Sequence, residues 1–229
     1  MRPVTPGRGL QVMKRSRNHI TFKLLSGLND LFELVFACNK NTNPRYALAC
    51  KIPNDTLRIL DVCTGTANGL LLLAKRNPKN EITGIDVSSD VIEIAEKKVH
   101  KRKIKNISFH QMDATRIAFR DEQFDIVMIS FGLHGLSYDC MIKAIQEMRR
   151  VLKRKGHFYI VDYEKQDKML KNSILSVFLR IFESSHISQF LNYNWKEILR
   201  HAGLHTIEIE NYLFSKLISA VKNQQRHPL

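Results

Sequence analysis

The stretch Ile59-Leu60-Asp61-Val62-Cys63-Thr64-Gly65-Thr66-Ala67-Asn68-Gly69 decides the fold. Leu57–Val62 reads as a short buried strand, and the small residues after it read as a loop. Gly69–Arg76 then has a helical pattern that stops at Asn77-Pro78. A strand running through such a loop into a helix turns the helix's first N–H groups toward a ligand at the carboxyl edge of a sheet. Gly65 lets backbone and ligand approach closely. Asp86 ends the next apolar run, 21 positions after Gly65. A carboxylate at that tip accepts hydrogen bonds from a ribose diol, so the pattern predicts a nucleoside-containing cofactor.

The same alternation continues along the chain. Ile82–Val87 reads as a second strand, Ser89–Lys101 as a helix capped by Ser88, Asn106–His110 as a third strand and Phe124–Ser130 as a fourth. A helix over Asp139–Leu152 leads through Lys155-Gly156 to a fifth strand, His157–Tyr163. Strands separated by helices predict an α/β, doubly wound, Rossmann-like parallel sheet with right-handed crossovers. Leu170–Glu183 and Trp195–Ala202 read as helices. Leu204–Glu210 and Leu213–Val221 follow as strand-like runs, with only Asn211-Tyr212 between them. Two runs that close must pair antiparallel, giving a seven-stranded, mostly parallel sheet that ends in a hairpin.

Before the sheet, residues 1–19 mix Pro, Gly, Arg and Lys without periodicity and read as a flexible basic arm. Residues 20–56 read as a helical N-terminal cover, with Leu24, Leu28, Leu31, Phe32 and Val35 at helical spacing and a break at Asn43-Pro44. The catalytic domain is expected over 57–229.

The 229 residues include 36 Lys and Arg against 22 Asp and Glu, and 44% are hydrophobic. Disordered, collagen-like and disulfide-scaffold classes are excluded by that composition. No apolar run reaches the ~18 residues of a membrane span, and no secretory signal is evident, so a cytoplasmic protein is expected. The head is the most biased segment, with nine basic and three acidic residues over 1–56. Such a head suits peripheral contact with an anionic membrane. Cys38, Cys50, Cys63 and Cys140 have no paired spacing, so neither a metal site nor a disulfide framework is read. The basic runs Lys97–Lys105 and Arg149–Lys155 lie at helix ends, where cations complement the dipole and are solvated. They argue for solvated faces over nucleic acid. The oligomeric state is not legible.

Several features choose among nucleoside cofactors. A nicotinamide dinucleotide calls for G-x-G-x-x-G, and the loop lacks its second and third glycines. Asp61 beside the loop would repel a pyrophosphate, yet would attract an ammonium group. Asp113, past the third strand, can accept from an adenine amine. Three acids at successive strand tips suit a ligand with an ammonium, a ribose and an adenine but no phosphate. S-adenosylmethionine (SAM) has those parts. A nicotinamide-dependent oxidoreductase and a catalytically silent SAM-binding module are the competing classes.

Over roughly residues 55–221 the chain resembles the class I SAM-dependent methyltransferases, and within them the ubiquinone/menaquinone biosynthesis methyltransferases. The resemblance rests on Leu60–Thr66, Gly84–Ser88, Phe124–Leu133 and Arg150-Val151-Leu152-Lys153. It implies that Asp61, Gly65 and Thr66 surround the methionine part, with Asp86 and Val87 at the ribose and Asp113 and Ala114 at the adenine. Ser130 and Phe131, with Gly132, would lie beneath the transferring methyl. Cys63 belongs to the cofactor loop and reads as packing there, not as a nucleophile. The departures are Thr64 and Ala67 where the family has glycine, Lys153-Arg154-Lys155-Gly156 for its Lys-Pro-Gly-Gly turn, and His134-Gly135 for its Arg-Asn.

A small, largely apolar acceptor is expected, with a quinol ring carbon as the specific reading and O- or N-methylation of another small molecule as the alternative. His134 follows the strand whose tip should face the sulfonium, and a histidine suits general-base work near neutral pH. The alternative is a plain loop histidine. Asp162 and Tyr163, at the tip of the fifth strand, are the other candidate catalytic groups.

Overall fold

The computed structural model describes residues 43–164, 187–212 and 215–222. The expected basic arm, most of the helical cover, the helix over Leu170–Glu183 and the first two residues of the last strand-like run lie outside them.

Asn43-Pro44, where a break was expected, begins the helix α1 (Pro44–Lys51). Pro44 at the first position has its φ preset and needs no donor, and Asn43 Oδ1 accepts from the backbone N–H groups of Arg45 (2.9 Å) and Tyr46 (3.3 Å). The alternation then proceeds through β1 (Arg58–Val62), α2 (Asn68–Arg76), β2 (Glu81–Asp86), α3 (Ser89–Lys101) and β3 (Ile107–Gln111). It continues with β4 (Phe124–Ser130), a 3-10 turn at Leu133–Gly135, α4 (Tyr138–Val151) and β5 (Leu152–Tyr163). A short helix α5 (Ile187–Phe190), α6 (Trp195–His201), β6 (Leu204–Asn211) and β7 (Ser215–Lys222) complete the described elements.

The seven strands lie in the order β3-β2-β1-β4-β5-β7-β6. Pairings from β3 to β5 are parallel, and β7 is antiparallel to both β5 and β6. The predicted doubly wound sheet with a terminal hairpin is therefore the observed one. The fifth strand departs from expectation: it starts at Leu152 and carries Lys155 in the left-handed region (φ 60°). Its pairing with β4 shifts register between Phe124 and Ile126. A local irregularity thus absorbs the Lys153–Gly156 segment into the strand, where a separate turn was expected.

Strand parity assigns the inward side chains to two cores. Leu60, Val62, Val127, Ile129, Phe158 and Ile160 pack with Met141, Ile145 and Met148 of α4 and with Trp195 and Leu199 of α6. Ile59, Ile126, Met128, Tyr159 and Val161 pack on the other face with Leu48 of α1, Leu70 and Leu73 of α2 and Ala95 of α3. Side chains alternate along a strand, so Asp61 and Ser130 belong to the α1–α2 face and Asp162 to the α4 face. That parity places the polar groups described below.

A buried amide anchors α1. Asn77, at the end of α2, donates through Nδ2 to the carbonyl oxygens of Ile52 (2.9 Å) and Ala49 (3.3 Å), both at the end of α1. Replacing it leaves those carbonyls in a dry place without a donor. Asn77→Ala should lower stability by about 1–3 kcal/mol, read as a shift of the urea midpoint with an unchanged slope.

Candidate functional site

The strand order reverses direction between β1 and β4, and a crevice opens there beyond the carboxyl ends of the strands. Each expected cofactor residue lies at or just past one of those ends. The loop between β1 and α2 has an alternating backbone, with Cys63 (φ 55°), Gly65 (φ 57°) and Ala67 (φ 65°) all left-handed. Alternation of this kind turns successive N–H groups toward one concavity. Helices α1, α3, α4 and α6 have side-chain caps from Asn43, Ser88, Ser137 and Asn194. Ala67 gives α2 no side-chain cap, and a helix start facing the strand tips favours an anionic group through its dipole. A side chain on Gly65 would meet no atom of the described residues within 4 Å. Gly132 is the opposite case, because a Cβ there would stand 2.7 Å from Cys63 Cβ. The ends of β1 and β4 can close together only over a glycine.

The acids have different surroundings. Asp61 is buried, and its Oδ2 accepts from Thr64 Oγ1 at 2.8 Å. Its Oδ1 is buried with no hydrogen-bond partner among the described residues. Burial pushes this carboxyl up to about 7, against the opposing effects of the Thr64 hydrogen bond and the Arg45 charge. An ammonium group placed at Oδ1 would supply both missing terms, a donor and an opposite charge. Asp86 accepts from the backbone N–H of Gly65 (3.0 Å) and of Ser88 (3.1 Å), tying the loop to β2. Burial raises its carboxyl while those N–H bonds restrain the rise. Asp113 accepts from both the N–H and the hydroxyl of Thr115 at 2.8 Å, so it shapes its own turn. Ala114 beside it is buried. Gln111 Nε2 donates to the Val87 carbonyl oxygen, and Thr66 Oγ1 accepts from Lys98. Burial also pushes the Cys63 thiol up, which keeps it protonated.

A second group forms where β4 and β5 end. His134 Nδ1 lies 2.8 Å from Asp162 Oδ1. Asp162 is fully buried and also accepts from the N–H groups of Leu133 (3.1 Å), His134 (3.4 Å) and Tyr163 (2.8 Å). A carboxylate only accepts, so Nδ1 carries the proton between them and Nε2 is the ring's other nitrogen. The His134 ring packs edge-on to Tyr163 (4.7 Å between centroids) and Phe190 (6.2 Å). Tyr163 also meets Phe131 at 5.2 Å. Sequence reasoning named each of these polar groups, but it treated Asp162 as a rival base when it is the partner of His134.

One residue at this edge was missed. Arg45 donates through Nε to Ser130 Oγ at 2.7 Å, and its guanidinium lies over the Phe131 ring at 4.9 Å. Its only sequence signal was the capping pattern of Asn43-Pro44, which would have put a helix just before β1.

This sheet order, with its loop and strand-tip acids, is the class I SAM-dependent methyltransferase fold. Residues 59–156 match the family described as "Methyltransferase domain". It is similar to the demethylmenaquinone methyltransferase of Thermotoga maritima, at 36% identity over 124 residues, 54% of this chain and 51% of that protein. The enzyme of that name from Alkalihalophilus pseudofirmus is 27% identical over 224 residues, covering 87% of this chain and 92% of its own. The chain thus spans about half the length of the first curated relatives it matches and nearly all of another. Among solved structures, a SAM-dependent methyltransferase from Aquifex aeolicus superposes with a TM-score of 0.63 at 22% identity, covering 80% of this chain and 92% of that one.

The residues fit the cofactor, since Asp61 is an unsatisfied acid where an ammonium is wanted and a side chain on Gly65 would meet no atom of the described residues. Because the ammonium pairs only with ionised Asp61, cofactor affinity should be constant above pH 7 and fall as pH drops below about 7, approaching tenfold per unit. Calorimetric titration with S-adenosylhomocysteine from pH 5.5 to 8.5 reads this, and Asp61→Asn should flatten the profile. Gly65→Ala should cost only about 1–2 kcal/mol of stability, the penalty for a left-handed L-residue. It should weaken S-adenosylhomocysteine binding at least ~10-fold, because the new methyl enters the space beside the loop.

Proposed function

We propose that the protein transfers the methyl group of SAM to a small, largely apolar acceptor with an ionisable ring hydroxyl, the specific reading being a ring carbon of a demethylated quinol. The observation that carries this is the His134–Asp162 pair among aromatic rings at the ends of β4 and β5. The names of the similar proteins support the quinol. The chain's own His134-Gly135, where quinone enzymes have Arg-Asn, favours a second reading of O-methylation on another small phenol.

When bound, SAM supplies an electrophilic methyl and leaves as a neutral thioether. The chain's residues prepare the acceptor. Asp162 holds the imidazole in one tautomer, so that Nε2 can take the proton of the acceptor's hydroxyl. The resulting phenolate is the better nucleophile, and its ring carbon or its oxygen attacks in line. In the carbon case the displaced ring proton is lost afterwards, restoring the aromatic ring. Phe131, Tyr163 and Phe190 form apolar walls that would orient a flat acceptor and exclude water. Peripheral contact of the basic head with an anionic membrane would bring the enzyme to lipid-soluble quinols.

His134→Ala should lower turnover by ~10²-fold or more and change S-adenosylhomocysteine affinity little. Asp162→Asn should also reduce turnover, since an amide no longer enforces the tautomer. Quinones extracted from a strain lacking the chain should accumulate a demethylated form. An unchanged quinone composition would remove the quinol acceptor and leave cofactor binding standing.

A further inference from the structure

The methionine end of SAM is a zwitterion. Its ammonium has a partner in Asp61, but its carboxylate enters a crevice lined by Asp61, Asp86 and Asp113. Without a cation that carboxylate would enter a region whose fixed charges are acidic, with no opposite charge to offset them. The start of α2 offers only partial charge.

We infer that Arg45 is the receptor for the cofactor carboxylate, forming with Asp61 a two-ended clamp for the amino-acid group. The inference rests on the cofactor of the preceding reading and not on its acceptor. Three observations place Arg45 there. Its side chain borders the start of α2, with Cδ and Nε 3.6 Å from where a Gly69 Cβ would stand. Its Nε reaches Ser130 Oγ, and its guanidinium covers Phe131, the two residues expected beneath the methyl. Its charge acts directly on Asp61, lowering a carboxyl that burial otherwise raises. Strand parity agrees, because Asp61 and Ser130 share the face that α1 covers. A guanidinium also offers the forked geometry that a carboxylate accepts best.

Lys98 is the other cation whose contacts reach this loop among the described residues. It is bonded to Thr66 Oγ1 (2.8 Å) and Asn68 Oδ1 (3.0 Å). It braces the loop from the α3 side.

The test compares two ligands. S-adenosylhomocysteine has the amino-acid end, whereas 5′-methylthioadenosine keeps the adenine, ribose and sulfur but lacks it. Arg45→Ala should weaken S-adenosylhomocysteine by ~10- to 100-fold, the loss of a charge-assisted pair, and leave 5′-methylthioadenosine unchanged. Arg45→Lys should recover part of the loss. Equal loss for both ligands would reduce Arg45 to a prop for α1 and overturn the inference, as would unchanged S-adenosylhomocysteine binding in Arg45→Ala. A wild type that fails to bind S-adenosylhomocysteine overturns the cofactor reading along with it.

Discussion

A carboxylate kept out of water is the constraint on which this site depends. Asp61 lies on a central strand with apolar residues on either side, and its second oxygen finds no donor among the described residues. Ordinary folding removes such a group, because a buried unpaired charge opposes stability. Here it persists at the switch point of the sheet, beside an open backbone concavity and a helix start with no side-chain cap. The protein forgoes stability at this one position and gains a strong preference for a ligand that brings a positive charge.

The neighbouring features follow from strand parity. Residues two apart share a face, so Asp61 and Ser130 look toward α1 and α2, while Asp162 looks toward α4. In the proposed reading one face of the sheet therefore serves the amino-acid end of the cofactor and the other serves the base. They meet at the strand tips, where Phe131 contacts both Arg45 and Tyr163 and Tyr163 contacts His134. The aromatic ring of Phe131, itself in a left-handed backbone conformation, joins the two halves.

Most of the frame was legible because it is local. Short apolar runs separated by helical periodicity disclose a parallel sheet, and the acids at β1, β2 and β3 stand out as polar residues ending apolar segments. The parts that were not legible depend on contacts between distant segments. Arg45 precedes β1 by a loop and a helix, and nothing in its surroundings says that it folds back over Ser130. Asp162 was recognised as a strand-tip acid, but its bond to His134 depends on which way each chain turns after its strand. Lys155 was read as part of a turn, whereas the pairing of β5 with β4 carries it into the strand. Asn77 was read only as a helix stop, although its amide also fastens α1.

Ala67 has a consequence of its own. An L-residue at φ 65° is strained, and glycine would relieve the strain, yet the methyl of Ala67 is completely buried among the residues of α1 and α2. Alanine also has fewer conformations than glycine in the unfolded chain, so less backbone entropy is lost when the loop takes its shape. The buried methyl and the smaller entropy loss offset part of that strain, so packing against the neighbouring helices helps hold the loop in the shape a ligand would meet.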